Sequence, residues 1–65
     1  QFAGLILSLP EDGVIGLWNV GGVPVMVTDE TEIEGTPAVG RMAKVEGRVL
    51  STSQVEAEEI YVRSR

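Results

Sequence analysis

Apolar and polar positions alternate along much of this chain with a period of two, the spacing of half-buried strands rather than of a helix. The segments between glycines are short and rich in Val and Ile, and they predict five strands. The first covers residues 2–9 and stops at the turn cluster Pro10-Glu11-Asp12-Gly13. The second and third, residues 14–20 and 23–28, flank Gly21-Gly22, a pair suited to a two-residue hairpin. That turn sets Val20 opposite Val23, Trp18 opposite Val25 and Gly16 opposite Val27, so all six lie on one face, taken as the inner one. The fourth strand, residues 41–51, points Ala43, Val45, Gly47 and Val49 one way and Met42, Lys44, Glu46 and Arg48 the other. The fifth covers residues 54–63, after a polar turn at Ser51-Thr52-Ser53.

Two irregularities are expected. In the fifth strand Val55 and Ala57 share one phase while Ile60 and Val62 occupy the opposite one. A β-bulge at Glu58-Glu59 brings all four to the same side. The long connection, residues 29–40, holds Gly35, Pro37 and Gly40 close together, which leaves room for at most one helical turn. Glycine at position 47, in mid-strand, is where a sheet can bend to close. These features describe an all-β chain, a small five-stranded barrel of the OB type forming one domain over residues 1–65. Its expected core is Ile6, Trp18, Val20, Val25, Val27, Ile33, Val39, Val45, Val49, Ala57, Ile60 and Val62. Because the chain begins at Gln1, it reads as a segment of a longer protein.

The first three strands are apolar in both phases. With Ile6 and Trp18 inward, Leu5, Leu7 and Leu17 point outward, together with Ile15, Pro24 and Met26. A half-exposed sheet normally alternates apolar with polar. In an OB barrel the outer face of these strands is the usual ligand face, yet here it carries neither bases nor clear stacking aromatics. Leu5, Leu7, Leu17 and Met26 are therefore the candidate protein-contact residues; a tapering barrel that takes some of them into its core is the plain alternative.

Charge narrows the partners. Ten acids against five bases give a net charge of −5. Binding to nucleic acid rests largely on Lys and Arg neutralising phosphates, so one lysine and four scattered arginines speak against it, and against anionic membrane surfaces too. No apolar run approaches the roughly 20 residues of a membrane helix. With neither Cys nor His in the chain, the commonest general base and the usual soft metal ligands are missing. The acids at Asp29, Glu30, Glu32 and Glu34 lack the order of a calcium loop and fit an extended segment with solvated carboxylates. Glu56, Glu58 and Glu59 fit a solvated strand and its bulge, and no serine has a histidine to activate it. No catalytic, cofactor or metal site is expected.

One longer pattern stands out. Thr31-Glu32-Ile33-Glu34-Gly35, Pro37-Ala38-Val39-Gly40, Val45-Glu46-Gly47, and then Ala57 and Ile60 follow one another in order. The chain resembles the bacterial family called domain of unknown function 5666, whose members read T-x-I-x-G, V-G-x-x-V-x-V-x-G and a final A-x-x-I strand. Arg41 and Ala43 depart from it, at positions where an acid and a larger aliphatic are usual. The resemblance implies a small OB-like barrel, often in exported or envelope proteins and sometimes in tandem, and no established activity. Ile33 and Val39 are expected to plug one end of the barrel. Two functional expectations follow: a non-enzymatic interaction or spacer module, meeting a protein partner, a neighbouring domain or its own copy, or alternatively a small-ligand or oligonucleotide-binding OB domain.

Overall fold

A computed structural model describes residues 1–51 and 54–64. Six strands follow in chain order: β1 Phe2–Ser8, β2 Gly16–Val20, β3 Val23–Val27, β4 Glu32–Glu34, β5 Met42–Ser51 and β6 Gln54–Val62. Among the described residues there is no helix, and so none long and apolar enough to cross a membrane. The turn expected at Ser51-Thr52-Ser53 falls on residues 52 and 53, outside the described residues.

The strands run β3-β2-β1-β5-β6 around the molecule, and a parallel β3–β6 pairing closes the ring. This is a five-stranded barrel with the connectivity of an OB fold. The β2–β3 hairpin has the register set by its Gly-Gly turn: Gly16 with Val27, Trp18 with Val25 and Val20 with Val23. Both turn glycines have positive φ, 62° and 91°. β4, not expected from the sequence, is the sixth strand. It lies parallel to β6 along residues 59–61, while β3 covers the same edge of β6 along residues 55 and 56. β3 and β4 thus share one edge, one after the other.

The join between them is built around a single hydroxyl. Thr31 Oγ1 donates to the Ala57 carbonyl at 2.8 Å and accepts from the Thr28 amide at 3.0 Å. The Thr31 amide donates in turn to the Thr28 carbonyl at 3.1 Å, closing a tight turn. Opposite this turn β6 carries its bulge. Glu46 pairs with Glu59 but Gly47 pairs with Ala57, so Glu58 is the extra residue. A bulge frees backbone groups from the ladder, and the Thr31 hydroxyl satisfies one of them.

The bulge does what the hydrophobic phases required: Ala57, Ile60 and Val62 are all buried. With Ile6, Trp18, Val20, Val25, Val27, Ala43 and Val45 they form a core in which no described polar or charged residue is buried. Trp18 lies within it, its indole N–H donating to the Val14 carbonyl at 2.8 Å. Ile33 is half-buried and packs against this cluster, as do Phe2, Leu9, Val23 and Val55.

Two expected core residues are not in it. Val39 is 62% exposed. The chain is anchored there by backbone instead: the Gly40 amide donates to the Ile6 carbonyl at 2.8 Å, and the Ile6 amide to the Arg41 carbonyl at 2.9 Å. Ala43, rather than Val39, supplies the buried side chain at that end. Val49 is 70% exposed although it keeps the inward phase of Val45. β1 pairs with β5 only from Met42 to Val45, so beyond that point β5 has no neighbouring strand on its β1 side and the hairpin extends past the closed barrel.

Two glycines of the recurring motifs are required by close approach. A Cβ on Gly47 would fall on the Glu56 carbonyl and within 2.9 Å of Ala57 Cα. Gly35 has a φ of 92°, and a Cβ there would strike the Val62 carbonyl. In both places backbone passes directly over backbone.

Candidate functional site

The surface singled out by the sequence is the outer face of β1, β2 and β3. Alternation places Leu5 and Leu7 on the outside of β1 because Ile6 is completely buried. Leu17 is outside on β2 because Trp18 is buried. All three leucines are about half exposed. Met26 is half-buried on β3, directly paired with Leu17.

Register decides which of these meet. Leu17 and Met26 are cross-strand neighbours, with the exposed Ile15 just before β2. Asn19 pairs with Pro24, and its Oδ1 accepts from the Gly22 amide at 2.8 Å, which turns its polar end toward the hairpin. Ile6 pairs with Val20 but Ser8 with Asn19, so Leu7 is the extra residue of a bulge in β1. Leu5 has no partner among the other three; it pairs with Met42 of β5. The four residues thus share one face without forming a single cluster. Leu17 and Met26 lie toward one end, Leu5 toward the other, with Leu7 at the bulge. Met42 is the member that sequence reasoning missed. Its outward phase was legible, but its pairing with Leu5 was not.

The charge of this face is as informative as its shape. All ten acids and all five bases of the chain lie outside β1, β2 and β3. The loop joining β1 to β2, one of the usual ligand loops of an OB barrel, carries Glu11 and Asp12. The loop joining β5 to β6, the other, falls on residues outside the described set.

These observations describe a short OB-type barrel in which two motif glycines allow close backbone approach and Thr31 fastens the β6 bulge. The chain belongs to the family described as Domain of unknown function (DUF5666). The family's profile matches residues 3–61, nearly the whole barrel. No curated protein and no solved structure matches the chain. Within this DUF5666 domain the motif residues are structural. Gly35 and Gly47 allow close backbone approach, Thr31 fastens the β6 bulge, and Val45, Ala57 and Ile60 are buried. The motif segment Val39-Gly40 holds β1 through the Gly40 backbone while the Val39 side chain faces outward.

The candidate acids are spread along this framework. Asp29 and Glu30 occupy the turn before β4, and Glu32 and Glu34 point outward from it. No three described acids gather as a metal site would require. Concave surface borders the apolar face at Met42. A depression of 430 Å³ on the outside of β5 and β6 is lined by Met42, Lys44, Tyr61, Arg63 and Ser64. A second, beside it, is lined by Lys44, Glu46, Glu59 and Tyr61.

Proposed function

We propose that this domain is a non-enzymatic interaction or spacer module that meets a protein surface through the outer face of β1–β3. The observation that carries the reading is an uncharged three-stranded face with Leu5, Leu7 and Leu17 each about half exposed, in a chain with fifteen charged residues elsewhere. Water solvates such a face poorly, and exposed aliphatics gathered on one uncharged face are a common mark of protein contact. The alternative, an oligonucleotide site on the same face, lacks the bases that would neutralise phosphates, and the adjoining loop adds two acids.

The test is replacement of Leu5 and Leu17 together by Lys. The expected result is a folded domain with native circular dichroism that has lost any association seen by sizing across protein concentration. Unfolding of the double variant, or association that persists unchanged, would remove the support for this face. Salt-sensitive binding of a single-stranded oligonucleotide to the unmodified domain would favour the alternative.

A further inference from the structure

The bases of the chain are not engaged alike. Arg48 pairs with Glu56 at 3.1 Å, and Arg41 donates to the Thr36 carbonyl at 3.1 Å. Lys44 and Arg63 make no ion pair or side-chain hydrogen bond among the described residues, yet they meet at one place. Lys44 points outward from β5 because Ala43 and Val45 are buried, and Tyr61 outward from β6 because Ile60 and Val62 are buried. These two pair across the hairpin. Arg63 continues the outward phase of Tyr61, and its amide donates to the Met42 carbonyl at 2.9 Å, which keeps it opposite Met42. The 430 Å³ depression lies among these four side chains and Ser64. Acids bound it on two sides. Glu34 of β4 flanks Tyr61 on the side away from Lys44. About 7 Å along the strands, Glu46, Glu59 and Glu32 form a row across β5, β6 and β4.

We infer that this depression binds a small organic acid that carries one carboxylate on an apolar body. Lys44 and Arg63 place the carboxylate, the guanidinium offering paired donors to its two oxygens. The body lies on the Tyr61 ring and the Met42 thioether, beside the exposed Leu5 that pairs with Met42 from β1. The neighbouring acids set the charge of the ligand. Glu34 and the row of Glu46, Glu59 and Glu32 repel anions, so a more highly charged group such as phosphate is disfavoured. A single charge is held at the end where the two bases stand. The volume suits a small molecule, and the open shape makes the affinity modest. The site stands apart from Leu17 and Met26 and does not rest on the contact proposed for β1–β3.

The experiment is a titration of the isotope-labelled domain with phenylpropionate near neutral pH and at constant ionic strength, followed by backbone amide chemical shifts. The expected result is saturable shifts from Met42 to Lys44 and from Tyr61 to Ser64, with a Kd of about 1–10 mM. Phenylpropanamide keeps the body and removes the charge. It and inorganic phosphate should each bind at least about tenfold more weakly. Lys44→Gln and Arg63→Gln together should abolish saturation, whereas Glu59→Gln, which removes a neighbouring carboxylate, should tighten binding. Circular dichroism checks that these exposed substitutions leave the fold intact. The amide or phosphate binding as tightly as phenylpropionate, shifts confined to Leu17 and Met26, or unchanged binding by the double variant would each overturn the inference. So would the absence of saturation by about 50 mM.

Discussion

At the scale of single residues, the chain relies on a few groups placed where the backbone ladder breaks. Thr31 is the clearest. Its hydroxyl both donates to the Ala57 carbonyl and accepts from the Thr28 amide, tying the turn between β3 and β4 to the bulge of β6. Thr31→Val keeps the shape and removes both bonds, leaving partly buried backbone groups unpaired. The expected cost is about 1–3 kcal/mol in urea unfolding, while Thr31→Ser retains most of the stability. The T-x-I-x-G pattern made this threonine visible in the sequence, but its partner lies 26 residues away. Nothing local could name it.

At the scale of elements, β6 shows how a hydrophobic pattern can dictate an irregularity. Val55 and Ala57 are out of step with Ile60 and Val62, and all four line or adjoin the core. One extra residue between the two pairs is the least disruptive solution, and the register places it at Glu58. Deleting Glu58 makes the strand regular and puts one pair on the wrong face. The expected outcome is loss of cooperative thermal unfolding. A deletion variant with an unchanged, sharp transition would mean that the bulge is incidental. β4 is the contrasting case. Glu32-Ile33-Glu34 is too short and too acidic to read as a strand by itself. It becomes one because β3 leaves the second half of the β6 edge uncovered.

At the scale of the whole molecule, the barrel is short and unsupported by disulfides, so each buried aliphatic matters. Where the wall ends decides which they are. Val45 pairs with Phe2 of β1 and is fully buried, whereas Val49, further along β5 in the same phase, stands on hairpin that β1 does not reach. Val45→Ala is expected to cost about 1–3 kcal/mol through lost transfer energy and a cavity. Val49→Ala should stay within about 0.5 kcal/mol, as exposed substitutions do. Urea titrations of the two variants check the difference; equal losses would mean that the core extends along the hairpin.

The strand phases, the Gly-Gly hairpin, the β6 bulge and the apolar outer face of β1–β3 all followed from local pattern, because side-chain alternation and turn chemistry act between near neighbours. The reading of Val39 and Val49 as core failed for the opposite reason. Alternation assigns a side of the sheet, but burial also needs the barrel to be closed at that level, and β1 pairs with β5 no further than Val45. At Val39 the backbone bonds of Gly40 and Arg41 to Ile6 of β1 took the place of side-chain packing. The β4–β6 pairing, the neighbours of Leu5 and Leu17, and the sorting of charge around Tyr61 were settled only by the tertiary structure. Each depends on strands distant in sequence being brought into one register by barrel closure.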